Sequence, residues 1–392
     1  MASQPIPKKI IENNPNIRPS FNTLLVDGSN LLHIASTGDD TLSSSGKPIG
    51  GIFQFFLQLK LILRQGNFRY VYVFWDGINS GNLRYALNPE YKANRDKEYD
   101  ETELSDYMKA FNAKINSMKS YFAKKKGQQN PEKLVEKEKQ KEIYYWQRDI
   151  IMQCLEELFI RQCESNYVEA DDLISYYVRH KKPNERIVIV STDKDLTQLI
   201  SNDVIIYMTK TKSFINTKNH TEITGINYQN VVLKKMICGD MSDNIKGIKG
   251  VGEKTLLENF PELATRKVEL DEIIERSRKI NEDRVKEKKK PLKWAENIVN
   301  AVTDGIVGDK IYEVNKAIID LSNEDMMTTE GMETIQAISY NPMDPDGRSL
   351  ENLYKILLDN DITKLKDPGQ FSSFFTEFMH VVDNEKRNIK VF

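Results

Sequence analysis

The chain of 392 residues holds only three cysteines, Cys154, Cys163 and Cys238, with no Cys-x-x-Cys spacing, and four scattered histidines. That scarcity excludes a zinc ribbon or a disulfide framework and points to a reducing compartment. No run of about 18 apolar residues occurs, nor a basic leader followed by an apolar core, so neither a membrane span nor secretion is expected and the protein is read as cytoplasmic. Internal repeats are absent too. No sign of charge dominates: 56 Lys and Arg stand against 58 Asp and Glu, a formal net charge of −2. A chain without an overall basic field must concentrate its cations to hold nucleic acid. They cluster at Lys124 to Lys126, Lys133 to Lys141, Lys246 to Lys254 and Lys286 to Lys293. Such runs are most often solvated faces, and only the third adjoins a feature suited to phosphate.

What the chain does have is acid at the ends of apolar runs. Thr23-Leu-Leu-Val-Asp27-Gly-Ser-Asn30 is too short for a stable helix and closes on Asp and a turn. Tyr70-Val-Tyr-Val-Phe-Trp-Asp76-Gly77 repeats that construction, and Arg186-Ile-Val-Ile-Val-Ser-Thr-Asp193-Lys-Asp195 does so again. Continuous β-rich apolar runs belong to strands buried on both faces, as in parallel sheets, whose ligand sites lie beyond the carboxyl ends of the strands. Glu169-Ala-Asp171-Asp172 opens an amphipathic helix. Each of these alone has a bland reading, as a turn or as a complement to a helix dipole. Repetition is what points to one crevice. Gathered carboxylates repel unless cations neutralise them, and hard oxygen donors favour Mg²⁺ or Mn²⁺ over Zn²⁺. Two such ions suit hydrolysis of a phosphodiester.

The densest segment is Gly239-Asp240-Met-Ser-Asp243-Asn-Ile-Lys246-Gly247-Ile-Lys249-Gly250-Val-Gly252-Glu-Lys254. Asp240 and Asp243 would share a face if helical, and the glycines let main chain approach a phosphate at the start of the next helix.

Taken in order, these pieces resemble the 5′-nucleases: flap endonucleases, the 5′-nuclease domain of bacterial DNA polymerase I, and bacteriophage 5′→3′ exonucleases and RNase H, the viral members being nearest in pattern. The Gly46-Lys-Pro-Ile-Gly-Gly51 turn and Pro89-Glu-Tyr-Lys92-Ala-Asn-Arg95 also match, and the likeness covers roughly residues 22–260, with a weaker echo from Tyr312 to Ser322. The resemblance implies an α/β fold with a Rossmann-like (PIN-like), mostly parallel central sheet, a helical arch and a helix-three-turn-helix subdomain. By position, it makes Asp27, Asp76, Glu169, Asp171 and Asp172 ligands of one Mg²⁺ and Asp193, Asp195, Asp240 and Asp243 ligands of a second. Mn²⁺ can substitute. Lys92 and Arg95 are implied at the scissile phosphate, with Arg84 a weaker candidate. Lys246, Gly247, Lys249, Gly250, Gly252 and Lys254 would grip duplex, and in relatives this turn also holds K⁺ on main-chain oxygens.

The expected organisation is a loose extension over 1–20, a nuclease core over 21–210 with an arch at about 93–147, a helical subdomain over 211–340 and a tail over 341–392. Tyr107, Phe111, Tyr121 and Phe122 in the arch are candidates for stacking on bases. In the tail, Phe371, Phe374, Phe375 and Phe378 form a stripe read as core packing in preference to a dock for a sliding clamp or single-strand-binding protein. The function expected is a monomeric Mg²⁺-dependent 5′-nuclease removing RNA primers and flaps from DNA or RNA–DNA hybrid by hydrolysis, without a covalent intermediate. The alternatives are a PIN-type single-strand ribonuclease and a catalytically silent junction-binding protein.

Overall fold

The structure, a computed structural model, describes residues 21–392 apart from 38, 40, 45, 94–130, 304–310, 342, 345 and 390–392. Arg95, the four arch aromatics, Lys124 to Lys126 and the N-terminal extension therefore lie outside the described residues. In chain order the elements used below are β1 (Thr23–Asp27), α1 (Gly28–Ser36), α2 (Gly50–Leu63), β2 (Tyr70–Phe74), α3 (Asn82–Leu87), α4 (Pro131–Glu157), β3 (Arg161–Cys163), α5 (Ala170–Arg179), β4 (Ile187–Val190), β5 (Val204–Met208) and β6 (Ser213–Ile215). There follow α6 (Val231–Cys238), β7 (Gly239–Asp240), β8 (Ile245–Lys246), α7 (Glu253–Asn259), α8 (Leu270–Lys286), α9 (Lys293–Thr303), α10 (Ile311–Ile319), α11 (Thr329–Tyr340), α12 (Leu350–Asp359), α13 (Pro368–Phe375) and α14 (Met379–Ile389). The chain divides into two compact units, one of Met1–Ile78, Gly127–Asn216 and Met327–Phe392, the other of Asn79–Lys126 and Thr217–Met326.

The first unit is built on a six-stranded sheet of order β3-β2-β1-β4-β5-β6, parallel except for the antiparallel edge strand β6. The central runs are buried along their whole length, which is why β1, β2 and β4 carry no polar alternation. Successive side chains still face opposite ways. Leu24, Val26, Val71, Val73 and Trp75 meet α2, whose Phe55 ring stacks on Trp75 at 5.9 Å. Tyr72 and Phe74 point to the other face, where Tyr177 of α5 lies 4.9 Å from Tyr72 between ring centroids.

α4 runs unbroken past residue 147 and buries Ile150, Ile151, Cys154 and Leu155 in the core. The tail stripe is core as well. Phe374 sits 5.4 Å from Phe53, and Phe375 and Phe378 lie 5.8 and 6.2 Å from Phe56, all in the same cluster as the sheet. Burying each of these rings contributes about 1.5–3 kcal/mol, and it removes the stripe as an open docking face. Arg161 and Glu385, both buried, pair at 2.8 Å and tie β3 to α14. Among the described residues the three cysteines are free, and no helix is long and apolar enough to cross a membrane.

In the second unit α6, α7, α8, α9 and α10 share one core around Ile237, Leu256, Phe260 and Ile298, and α3 packs with α10 through Leu83, Leu87, Val314 and Ile318. A two-stranded hairpin, β7 with β8, sits between α6 and the glycine turn.

Candidate active site

In the first unit the strand order reverses between β1 and β4, the place where open α/β sheets leave a crevice. Val26 pairs with Val190 there, so Asp27 and Ser191 emerge side by side. Asp27 is 7% exposed, and its Oδ1 accepts the Asn30 N–H of α1 at 3.0 Å while Oδ2 accepts from Ser191 Oγ at 2.9 Å. Gly28 allows this junction to press on β2: a Cβ there would lie 2.6 Å from Val73 Cγ1. Asn30 Oδ1 accepts from Thr192 N and Oγ1, both at 3.0 Å, closing β1 onto the end of β4.

Asp76 is placed by the other side of β1. Its N–H donates to Ser29 Oγ at 2.9 Å, and its Oδ1 accepts the first N–H of α5, from Ala170, at 2.9 Å. Gly77 makes that approach possible, since a Cβ on it would fall 1.7 Å from the Ser165 carbonyl oxygen. Glu169 precedes α5 and Asp171 and Asp172 occupy its first turn. These three each offer a carboxylate oxygen within 4.8 Å of the others, with Glu169 4% and Asp172 2% exposed. Beyond β4, Asp193 donates its N–H to Ser191 Oγ at 3.0 Å and accepts from Asp195 N at 2.8 Å.

The electrostatic consequence shows at Asp27. Burial first, then the nearby charges of Asp76 and Asp193, push its carboxyl up to about 7 against the pull of its hydrogen bonds to Asn30 and Ser191. The donors are carboxylate oxygens, with no histidine or cysteine in the group. A largely buried acidic set made of hard oxygen donors fits a hard divalent cation.

In the second unit Asp240 and Asp243 are not on a helix. Gly239, at φ 74, ends α6 and turns the chain into the hairpin, so Asp240 closes β7 and Asp243 lies in its turn. Asp240 Oδ1 accepts from Ser242 N and Oγ at 2.8 and 2.6 Å, and Oδ2 pairs with Lys235 Nζ at 2.5 Å. Although burial alone would raise it, the Lys235 charge and these bonds hold Asp240 down at about 2. Lys92 comes to the same hairpin: its N–H, at φ 50, donates to the Asp243 carbonyl at 2.8 Å, and its ammonium lies 4.7 Å over the Tyr91 ring. Asn244 Nδ2 donates to the Glu90 carbonyl at 2.7 Å and Lys246 pairs with the Glu90 carboxylate at 2.6 Å, fixing that segment.

The three glycines of the turn differ in kind. A Cβ on Gly247 would lie 2.1 Å from the Cys238 carbonyl carbon, so this glycine serves internal packing. Gly250, at φ 80, and Gly252 have nothing within 4 Å and present open main chain at the start of α7. Lys246, Lys249 and Lys254 are exposed beside them. The buried Ile248 and Val251 anchor the turn from within. Arg84 shares the Tyr91 ring with Lys92 but is buried: 2% exposed, it donates Nε to the Ile318 carbonyl at 3.0 Å and its guanidinium sits 5.9 Å from that ring. That environment makes it a packing residue of the second unit.

Sequence reasoning did not reach Ser29, Asn30, Ser191 or Lys235. The first two adjoin Asp27 in Asp-Gly-Ser-Asn and were there to be asked about. Lys235 lies five residues before Asp240 and was equally near at hand, whereas Ser191, 164 residues from Asp27, has no such local signal.

The fold is that of the resolvase-like, PIN-type 5′-nucleases. The flap endonuclease of bacteriophage T5, in a complex with DNA and metal ions, superposes with a TM-score of 0.54 at 18% identity, covering 86% of this chain and 98% of that one. The family described as the 5′-3′ exonuclease, N-terminal resolvase-like domain, matches residues 22–227, more than half the chain, and the chain belongs to that family. A 5′-3′ exonuclease of Mycoplasmopsis pulmonis is 41% identical over 99 residues, 24% of this chain and 33% of the relative. One from Buchnera aphidicola subsp. Schizaphis graminum is 26% identical over 237 residues, 60% of this chain and 68% of the relative. The match thus spans about a third of the length of the first of these relatives.

Proposed function

We propose that the protein is a divalent-cation-dependent 5′-nuclease that acts on duplex DNA, or an RNA–DNA hybrid, beside a 5′ end or flap. The observation that carries this reading is the gathering of carboxylates at the sheet's switch point: the buried Asp27 held by Asn30 and Ser191, Asp76 tied to Ser29 and to the start of α5, and Glu169, Asp171 and Asp172 with oxygens within 4.8 Å of one another. A stable protein keeps such a group where a cation or a proton is meant to compensate it. Family membership and the DNA and metal ions in the complex of the similar flap endonuclease support the same reading.

Asp27, Asp76, Glu169, Asp171 and Asp172 would hold one cation and Asp193 and Asp195 would serve another, while the assignment of Asp240 and Asp243 to that second ion rests on the resemblance alone. Mg²⁺ suits their hard oxygens, and when bound it supplies Lewis-acid activation of water and neutralises charge on the phosphodiester. The protein's own part is placement. Asn30, Ser191 and the N-terminus of α5 orient the carboxylates before any ion arrives. Lys92 lies beside the Asp243 turn and would meet an anionic substrate there. The open main chain at Gly250 and Gly252, flanked by Lys246, Lys249 and Lys254, is suited to a duplex backbone. Removal of primers during replication, K⁺ at this turn and a clamp or single-strand-binding partner rest on the resemblance.

The test is cleavage of a 5′-labelled flap duplex in Mg²⁺ and in EDTA, beside the same single strand, with Asp171→Asn in parallel. Mg²⁺-dependent cutting near the junction, reduced at least about 100-fold by the variant while flap binding persists, is expected. Cutting of single-stranded RNA alone would favour the ribonuclease reading, and binding without turnover the silent one.

A further inference from the structure

Between α8 and α9 the second unit turns through a cationic stretch that the proposed function does not use. From Asp283 to Lys293 it carries six basic residues, Arg284, Lys286, Lys288, Lys289, Lys290 and Lys293, against two acidic ones, Asp283 and Glu287. A run of this kind is ordinarily a solvated face, but this one is a built loop. α8 ends in a Schellman closure, the Lys289 N–H donating to the Arg284 carbonyl at 2.8 Å and the Lys288 N–H to the Val285 carbonyl at 2.9 Å. Arg284 Nε donates to the Lys290 carbonyl at 2.9 Å. Asn281 Oδ1 accepts the Leu292 N–H at 2.7 Å, and its Nδ2 donates to the Leu292 carbonyl at 3.2 Å. The left-handed position of such a closure usually belongs to glycine, yet here it is Lys288, at φ 58. Backbone strain of this sort is kept where the side chain serves a function.

Lys286, Lys289 and Lys293 have partners in Asp283, Glu287 and Glu296, all solvent-exposed pairs that a polyanion displaces at little cost. Lys288 and Lys290 are exposed, and none of the described carboxylates pairs with either. The loop is also joined to the glycine turn. Asn297 of α9 donates Nδ2 to the Lys249 carbonyl at 2.7 Å, and Ile298 beside it shares the core of Ile248 and Val251. Lys293, one helical turn before Asn297, lies about 6 Å along the axis, and Lys290 at most about 10 Å of chain further. At about 3.4 Å per base pair, that reach covers about five base pairs of duplex. A single strand suits the loop less well. No aromatic residue occurs between Asp283 and Lys293, and Trp294 is turned against Phe260 at 6.1 Å, so there is no platform on which unpaired bases could stack.

We propose that the α8–α9 loop is a second phosphate-backbone contact, in which Lys288 and Lys290 extend the grip of the glycine turn along the same duplex by about five base pairs. Such a contact positions the duplex without reading its sequence. The inference rests on the duplex-binding reading above. The experiment is binding of a labelled flap duplex to the full chain in Ca²⁺ over a range of salt, for wild type, Lys288→Gly, Lys290→Gln and the double variant. Each single variant is expected to weaken binding about 3-fold and to reduce the slope of log affinity against log salt by about 0.9, and the double variant about 10-fold and by about 1.8. The hydroxyl-radical footprint of the double variant should be shorter by about five base pairs at one end, with cleavage at saturating flap in Mg²⁺ unchanged. Lys288→Gly should melt no lower than wild type, because glycine is at ease at that φ, which separates a lost contact from a lost structure. A double variant with wild-type salt slope and footprint would overturn the proposal and leave the nuclease reading standing. A wild type that binds no flap duplex would overturn both.

Discussion

The carboxyl of Asp27 gives the site a thermodynamic signature that needs no substrate. Its ordinary value is 3.8 and its folded value about 7, raised mainly by burial and then by Asp76 and Asp193. Between those pH values the folded protein binds this proton more tightly than the unfolded chain does, so stability falls as pH rises. At about 1.4 kcal/mol per unit, the penalty grows from pH 4 and reaches roughly 4 kcal/mol once pH exceeds 7. Asp27→Asn keeps Oδ1 for the Asn30 N–H and can donate from Nδ2 to Ser191 Oγ, yet carries no charge. In EDTA, denaturant unfolding should therefore find the variant more stable than wild type at pH 8, by a margin that shrinks steadily and vanishes near pH 4. Saturating Mg²⁺ should reverse the order at pH 8, because only the wild type retains the full set of carboxylates, and ligand binding to the folded state adds stability by mass action. The difference between wild type and variant isolates this one group from every other titration. A difference that is flat from pH 4 to 8 in EDTA, or a variant that Mg²⁺ stabilises as much as the wild type, would refute the reasoning.

Lys235→Met should destabilise the second unit by about 3 kcal/mol at neutral pH, since it leaves Asp240 charged and largely buried without its partner. Because Asp240 is held at about 2, against an ordinary 3.8, that loss should be fully present above pH 4 and fade as pH falls through 2, as read by denaturant unfolding. Gly247→Ala should cost about 3 kcal/mol or more, its methyl falling on the Cys238 carbonyl, whereas Gly252→Ala, with open space and an extended backbone, should change stability by less than about 0.5 kcal/mol. In binding assays Gly252→Ala should still weaken flap-duplex affinity roughly 5-fold, since the methyl would stand where main chain meets phosphate. Equal stability losses for the two alanines would contradict the division between packing and contact glycines.

The acidic character of the crevice was legible in the sequence because it is local. An apolar run of four or five residues that ends in Asp is a strand with a carboxylate at its tip, and three of them in a parallel sheet have nowhere else to converge. The first-turn acids of α5 and the glycine turn before α7 were legible for the same reason, each being a short segment whose chemistry and backbone preference agree. Only the tertiary structure decided the rest. Asp240 and Asp243 would share a face if helical, and the sequence left that condition open; the positive φ of Gly239 and pairing across β7 and β8 put them in a hairpin. Gly247 and Gly252 are alike in sequence, and only the position of the Cys238 carbonyl makes one a packing residue and leaves the other open. Arg84 had the charge of a phosphate ligand, yet α10 closes over it. Ser191 has no motif, since a hydrogen bond spanning 164 residues, as between Ser191 and Asp27, depends on register and helix placement. Composition and periodicity determine which segments are strands and which residue types stand at their ends. Which side chain meets which is set by long-range packing, because burial is shared among segments far apart in the chain and no single segment encodes its partners.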